Sequence, residues 1–163
     1  MKFELVELLE LSGPKATIYS AYLEEDEQTL FDTFLAENEK DFKEEVLSIL
    51  DKIDKIALKF GADRMFFKEN EGKLGDLVCA IYDSPDSHLR LYCIRMGKTV
   101  IILGGGGFKP KSIRALQEDP KLTIENSKIR QISQALYQKI KDGEIYWSDE
   151  MTLNGNFIID TNE

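Results

Sequence analysis

Two helical hydrophobic patterns follow each other in the first half of the sequence, and strand-like apolar runs stand on both sides of them. Apolar residues recur at helical spacing over residues 30–35, and again on one face over residues 42–60. Gly61 directly after the second pattern predicts its end. Because a helix cannot bury its apolar stripe alone, these two helices must pack against something that the flanking runs supply.

The flanking runs predict the sheet on which these helices pack. Residues 3–11 and 16–23, joined by Ser12-Gly13-Pro14, predict a leading hairpin. Apolar runs at 65–68, 77–82, 89–95 and 99–103, separated by short turn sequences, predict an antiparallel meander. A last helix is expected over 126–140, and the tail over 151–159 predicts an extra strand. Helices grouped ahead of the meander favour an α+β domain over a doubly wound parallel sheet.

Length and composition fit one globular domain over residues 1–163. The chain is 42% hydrophobic and 31% charged, which suffices for a core. No apolar run approaches the roughly 20 residues that a membrane span needs, and the N-terminal residues lack the pattern of a signal peptide, so we expect a cytoplasmic protein. Cys79 and Cys93 lie in apolar runs and are expected to be reduced and buried.

Charge is divided unevenly along the chain. The formal net charge of -9 argues against a polyanionic partner, because phosphate binding depends on Lys and Arg. However, residues 87–117 contain six cations and no Asp or Glu. Any anion site is therefore expected in this basic segment, with its cations Arg90, Arg95, Lys98, Lys109, Lys111 and Arg114.

Strand alternation sorts the first residues of the basic segment by face. Arg90 and Tyr92 are expected on one face of their strand, and Arg95 on the other. Lys109 and Lys111 follow the next strand, which antiparallel pairing brings alongside. Such a set can neutralise the charge that develops on a phosphodiester, and Tyr92 or Phe108 can stack a base. The alternative interpretation is that these cations form only surface pairs with the acidic residues.

Other chemistries have weaker signals. Gly104–Gly107 suggest a phosphate-binding loop, but neither the dinucleotide nor the P-loop spacing is present, and a strand end with a close neighbour explains them better. One His and two separated Cys provide no zinc ligand set, and no metal or other cofactor is predicted. His88 is the only imidazole, and no G-x-S-x-G motif accompanies it, so a serine-hydrolase triad is not indicated.

The basic segment and its surroundings resemble the RelE/HigB-type toxins of type II toxin-antitoxin systems. The resemblance is carried by residues 71–77, the strand 89–94, the apolar strand 100–103 and Phe108-Lys109-Pro110-Lys111. It covers about residues 27–141, including the two preceding helices. The resemblance implies a RelE/HigB-like antiparallel sheet packed against helices.

The resemblance also implies a function. Toxins of this type are metal-independent endoribonucleases that commonly cut mRNA on the ribosome and are neutralised by an antitoxin, often a helix-turn-helix protein. Arg90 matches the strand arginine that contacts the scissile phosphate, and Lys109 and Lys111 match the lysines that follow the strand. We therefore expect Arg90, Tyr92, Lys109 and Lys111 to be catalytic, and the RNA-binding residues to be Arg95, Lys98, Phe108 and Arg114.

A second hypothesis is a non-enzymatic binding module that keeps the fold and has lost catalysis. The net acidity of the chain favours it, as does the lack of a recognisable acid/base pair in the tail. A phosphate-ligand protein built on Gly104–Gly107 is a third hypothesis.

Overall fold

A computed structural model describes residues 1–68, 77–109 and 119–162. The strands are β1 (Lys2–Glu7), β2 (Thr17–Leu23), β3 (Gln28–Thr29), β4 (Val78–Tyr82), β5 (Leu89–Met96), β6 (Val100–Phe108), β7 (Ile145–Trp147), β8 (Leu153–Gly155) and β9 (Ile158–Asp160). The helices are α1 (Leu30–Asn38), α2 (Lys43–Lys55) and α3 (Pro120–Lys141). In the described residues no helix is both long and apolar enough to cross a bilayer.

Local signals explain where the helices begin and end. Thr29 and Asp32 form a reciprocal capping box at the start of α1, and the Asp119 side chain caps α3 ahead of Pro120. The second helix continues past α2 as a π-helical turn over Ile56–Phe60. It ends at Gly61, whose φ of 69° is one that few other residues adopt.

The strands form one mixed sheet that is covered on both faces. The strand order is β4-β5-β6-β2-β1-β9, with β3 paired to β2 and a separate β7-β8 hairpin. All pairings are antiparallel except that of β2 with β6. One face packs on α1 and α2, and the other packs on α3 and the β7-β8 hairpin. Because both faces are covered, β4 and most of β5 and β6 are buried along their length.

The α+β class, the leading hairpin, the two early helices and the mainly antiparallel sheet are confirmed. The sequence patterns were wrong in four details. Residues 65–68 are not a strand, because the Asp63 side chain accepts from the Met65 amide and caps a short 3-10 turn. The sheet contains one parallel pair, β2 with β6, where only antiparallel pairing was expected. The last helix starts at Pro120 and not near residue 126. Gly104–Gly107 lie inside β6, whereas the sequence predicted that they follow the strand.

The two cysteines are free and buried, as expected. They face each other across β4 and β5, on the side of the sheet that α1 and α2 cover, with their sulfur atoms 3.5 Å apart. The residues therefore contribute to the core as small apolar side chains.

A β-bulge explains part of the glycine run. The register of β5 on β6 shifts between the pairs Leu91↔Gly106 and Cys93↔Leu103, so Gly104 and Gly105 together oppose the single residue Tyr92. A Cβ atom on Gly106 would lie 1.8 Å from the Arg90 carbonyl oxygen, and one on Gly105 would lie 2.2 Å from Glu125 Oε2. Side chains at these positions would separate β6 from β5 and α3.

The bulge predicts a difference between neighbouring glycines. Gly106→Ala places its methyl group against backbone that cannot move aside, and we expect a loss of about 1–3 kcal/mol in the free energy of unfolding. Gly107→Ala is the matched control, because its Cβ would meet the flexible Lys121 side chain at 3.5 Å, an ordinary contact. Urea unfolding of both variants measures the difference; equal stability would contradict the bulge geometry.

Candidate functional site: a cation cluster at the end of the sheet

Part of the basic segment gathers around the ring of Tyr82, the last residue of β4. Tyr82 pairs directly with Arg90 in the β4-β5 register. The Arg90 guanidinium carbon lies 5.0 Å from the centroid of the Tyr82 ring, and the Nζ atoms of Lys68 and Lys109 lie 4.8 and 5.8 Å from it. We call Lys68, Arg90 and Lys109 the cation cluster. All three cations approach the Tyr82 ring, whose electron-rich face attracts positive charge.

Arg90 is held in place by its own strand. It is 5% exposed and Tyr92 is fully buried, and Arg90 Nη1 donates to the Tyr92 hydroxyl at 3.1 Å. The guanidinium also lies 5.7 Å from the Tyr92 ring centroid. Strand alternation explains why the two residues share a face, as predicted. Tyr92 is too deeply buried to stack on a base, so the structure favours a positioning role for it over stacking.

The opposite side of the same sheet end carries aromatic and titratable groups. Phe108 is the last residue of β6, is 41% exposed and stacks on Phe42 with ring centroids 5.1 Å apart. His88 lies 6.3 Å from Phe108 between ring centroids, and its Nδ1 is 3.3 Å from Glu45 Oε1. The Lys109 amide donates to the His88 carbonyl at 2.7 Å. The aromatic pair and the imidazole therefore adjoin the segment that carries Lys109.

Helix α2 fixes the loop that carries His88. Glu45, Ser48 and Lys52 lie on one face of the helix and contact His88, Ser84 and the Tyr82 carbonyl in turn. Burial lowers the pKa of Lys52, and the charge of Asp83 opposes this effect. Asp83 is itself buried and accepts from the Leu89 amide at 2.5 Å. The loop is therefore held by several polar contacts, and the position of His88 is defined.

A second polar group lies beside the glycine run. Glu125 of α3 is buried, with its carboxylate against Gly105, and Lys121 Nζ contacts Glu125 Oε1 at 2.9 Å and Glu37 Oε1 at 3.1 Å. Burial lowers the pKa of Lys121, but its bonds to the two glutamates outweigh that effect and raise the pKa above its ordinary value. A carboxylate against Gly105 disfavours phosphate there, so the glycine run is better explained by helix packing than by a phosphate loop.

The other residues of the basic segment lie elsewhere. Arg95 is on the opposite face from Arg90, as alternation predicts, where its Nε donates to the Ala62 carbonyl at 2.7 Å and its guanidinium lies over Phe67. Lys98 is exposed in the β5-β6 turn, at the other end of the strands. Arg95 and Lys98 are thus separate from the cation cluster, and Lys111 and Arg114 lie outside the described residues.

The sequence patterns missed three members of this site. Tyr82 could have been found, because a hairpin turn at Ser84-Pro85-Asp86 places it opposite Arg90. Lys68 and Glu45 belong to segments that are distant in sequence from the basic segment, and no local pattern identifies them. In the described part of the chain, no group of His, Cys, Asp and Glu is arranged to hold a metal ion.

Comparisons with known proteins add no relative to this description. No protein-family model, no curated protein and no solved structure matches the chain. The chemistry of the site is therefore argued from its geometry.

The Arg90-Tyr92 contact predicts a stability effect. Tyr92→Phe removes an acceptor from a buried guanidinium, and we expect a loss of about 1.5–3 kcal/mol, the usual value for a hydrogen bond to a charged group. Tyr22→Phe, at a partly exposed position in β2, is the control for loss of a phenol hydroxyl. Chemical denaturation measures both, and a Tyr92→Phe variant as stable as the control would show that the hydroxyl contributes nothing.

Proposed function

We propose that this protein is a RelE/HigB-like toxin of a type II toxin-antitoxin system and a metal-independent endoribonuclease that acts on mRNA. The observation that carries the proposal is the cation cluster around Tyr82. The exposed ring of Phe108, the residue that precedes Lys109, lies on the opposite side of the same sheet end. Positive charge and an exposed aromatic ring are the two groups that single-stranded RNA binders use for phosphates and bases.

The order of elements is a second support. Two helices precede the antiparallel strands β4, β5 and β6, and α3 follows them, which is the order implied by the resemblance to RelE/HigB-type toxins. The first hairpin and β9 extend the same sheet beyond that unit, and β7 and β8 form a separate hairpin. In this proposal they are additions to a RelE/HigB-like core.

Each group at the sheet end has a role in the proposed reaction. Lys109 and Lys68 bind the phosphate, and Arg90 contributes its charge from below the surface, so that the cluster stabilises the negative charge that grows in the transition state. Phe108, supported by Phe42, stacks a base. His88, oriented by Glu45, is the group placed to transfer a proton to or from the RNA. Tyr92 positions Arg90. Lys111, Arg95, Lys98 and Arg114 remain candidates from the sequence alone.

A binding module without catalysis is the second candidate. The observation that favours it is the burial of Arg90 and Tyr92, which keeps both from direct contact with a substrate in this conformation. A short RNA would then be held by Lys109, Lys68 and Phe108 without being cut. Measuring binding and cleavage on the same RNA distinguishes the two candidates.

Lys109 is the sharpest test of the site. Lys109→Ala removes a half-buried cation from the cluster, and we expect RNA cleavage to fall about 10²-fold, the effect of losing one charge-stabilising donor. Lys59→Ala removes an exposed lysine from the π-helical turn and should leave the rate unchanged. Single-turnover cleavage of a labelled mRNA, with and without ribosomes, measures both variants. Equal rates for the two would remove the cation cluster from the mechanism.

Growth provides an independent test. Expression of the protein without any antitoxin should slow growth and fragment cellular mRNA, and Arg90→Ala should relieve both effects because the buried charge beneath the site is lost. The soluble amount of each protein is compared by immunoblot, so that a misfolded variant is recognised. Normal growth and intact RNA with the unmutated protein would contradict the proposed activity, and RNA binding without cleavage would favour the binding module.

A further inference from the structure

Cys79 and Cys93 are directly opposed in the β4-β5 ladder. They are the only two cysteines of the chain, and the fold brings both to one cross-strand pair. Their side chains lie on the face that α1 and α2 cover, with the sulfur atoms 3.5 Å apart. The two sulfur atoms are therefore in contact without being bonded. The proposed RNA cleavage gives this pair no role.

The ladder geometry permits a covalent bond between the two residues. The Arg95 amide donates to the Leu77 carbonyl, which identifies Leu77 and Arg95 as a hydrogen-bonded pair of the ladder. Such pairs alternate with non-hydrogen-bonded pairs, so Cys79 and Cys93, two residues further along each strand, form a hydrogen-bonded pair as well. The Cα atoms of such a pair are about 5.5 Å apart, within the range of about 4.4–6.8 Å that disulfides span.

Only a small movement separates the reduced pair from a bridge. A disulfide requires a sulfur-sulfur distance of about 2 Å, so the two sulfur atoms must approach each other by roughly 1.5 Å. The Cys93 sulfur also lies 3.7 Å from the Cys79 carbonyl oxygen, so its side chain already points toward β4. Rotation of the two side chains about their Cα–Cβ bonds brings the sulfur atoms together while the strands stay paired.

The two sulfur atoms differ in access to solvent. Strand β4 is the outermost strand of the sheet, whereas β5 lies between β4 and β6. Outside β4, in the described part of the chain, a single bridge joins Ala80 to Lys68. Cys79 is 4% exposed and Cys93 is fully buried. Because fewer hydrogen bonds hold an edge strand than an inner one, local opening of β4 exposes Cys79 first.

We propose that Cys79 and Cys93 form a reversible disulfide when hydrogen peroxide oxidises the protein. The Cys79 sulfur attacks one oxygen of the peroxide and becomes a sulfenic acid, and the other oxygen leaves as water with the thiol proton. The Cys93 sulfur then attacks the sulfenic sulfur, the S–S bond forms, and a second water leaves with the Cys93 proton. The cysteines together lose two electrons and two protons. Two molecules of a small thiol reverse the reaction by thiol-disulfide exchange.

The bridge ties the edge strand to the inner strand beside it. It closes a loop over residues 79–93, which contains Tyr82, Arg90 and the connection between β4 and β5. Closing this loop restricts the unfolded chain more than the folded protein, in which the two sulfur atoms already touch. The disulfide should therefore form more readily in the folded protein than in the unfolded chain. This chemistry is separate from the proposed RNA cleavage and does not depend on it.

Mass spectrometry of the full-length protein tests for the bridge. The native protein is treated with hydrogen peroxide, the excess is removed with catalase, and the remaining thiols are alkylated in urea. The monomer should take up no alkyl group and be lighter than the reduced protein by two hydrogen atoms, and dithiothreitol should restore both alkylation sites. Two alkylated thiols after the treatment, addition of oxygen alone, or a bridge between two molecules would contradict the proposal.

Single-cysteine variants test the order of the two steps. Cys93→Ala removes the second thiol, so a sulfenic acid at Cys79 should accumulate and react with dimedone. Cys79→Ala is the matched control, because its remaining thiol lies on the inner strand and should be labelled about tenfold more slowly. Circular dichroism confirms that both variants are folded. Equal labelling rates would overturn the assignment of Cys79 as the residue that meets the oxidant.

A redox equilibrium tests whether the fold itself favours the bridge. The ratio of disulfide to dithiol protein is measured in mixtures of oxidised and reduced glutathione, once for the folded protein and once in concentrated urea. We expect the folded protein to favour the disulfide about tenfold or more over the unfolded chain. An equal or lower ratio in the folded protein would show that the β4-β5 pair does not support the bond, and the proposal would be wrong.

Discussion

The contact between the glycine run of β6 and helix α3 determines how the site is built. Because Gly104, Gly105 and Gly106 lack side chains, β6 bulges against β5 and comes close to Ile129 and Glu125 of α3. The start of α3 then lies over the end of the strands, where Leu122 approaches Gly107. Helix α3 thereby covers the face that carries Arg90 and Tyr92. At the end of β6, Phe108 is exposed and Lys109 is half-buried.

This arrangement separates two kinds of charge at the site. Arg90 is held below the surface by Tyr82, by Tyr92 and by its place in the sheet. Lys68 and Lys109 approach the same ring from segments outside β5. The three cations therefore concentrate positive charge beside Tyr82, and charge that the fold has already put in place can stabilise an anion without rearrangement of the protein.

Much of the fold could be predicted from the sequence, because periodicity reports which face of an element is buried. It gave the leading hairpin, both early helices and the faces of Arg90 and Arg95. It did not give the start of α3, because Glu125 and Asn126 are buried polar residues that interrupt the apolar stripe. The cap at Asp119 and the Pro120 that follows it were the better signals. The parallel pairing of β2 with β6 has no local signal, since periodicity does not identify the neighbouring strand.

The candidate site, like the fold, could be predicted from the sequence only in part. Alternation joined Arg90 to Tyr92, and the hairpin turn implies Tyr82, but Lys68 and Glu45 depend on packing between segments that are distant in sequence. Conversely, Lys98 and Lys109 share the basic segment but are separated in space. Lys98 precedes β6 and Lys109 follows it, so the length of the strand lies between them. A charge count along the chain therefore grouped residues that the fold divides.

The strand order explains how an acidic chain holds a positively charged cluster. Between β4 and β9 there are five strand intervals, which at about 4.8 Å each place the two edges of the sheet roughly 24 Å apart. The Debye length at physiological salt is about 8 Å, so carboxylates near β9, such as Asp160, are largely screened from the cation cluster. The net charge of -9 is the sum over the whole chain and does not describe the potential beside Tyr82.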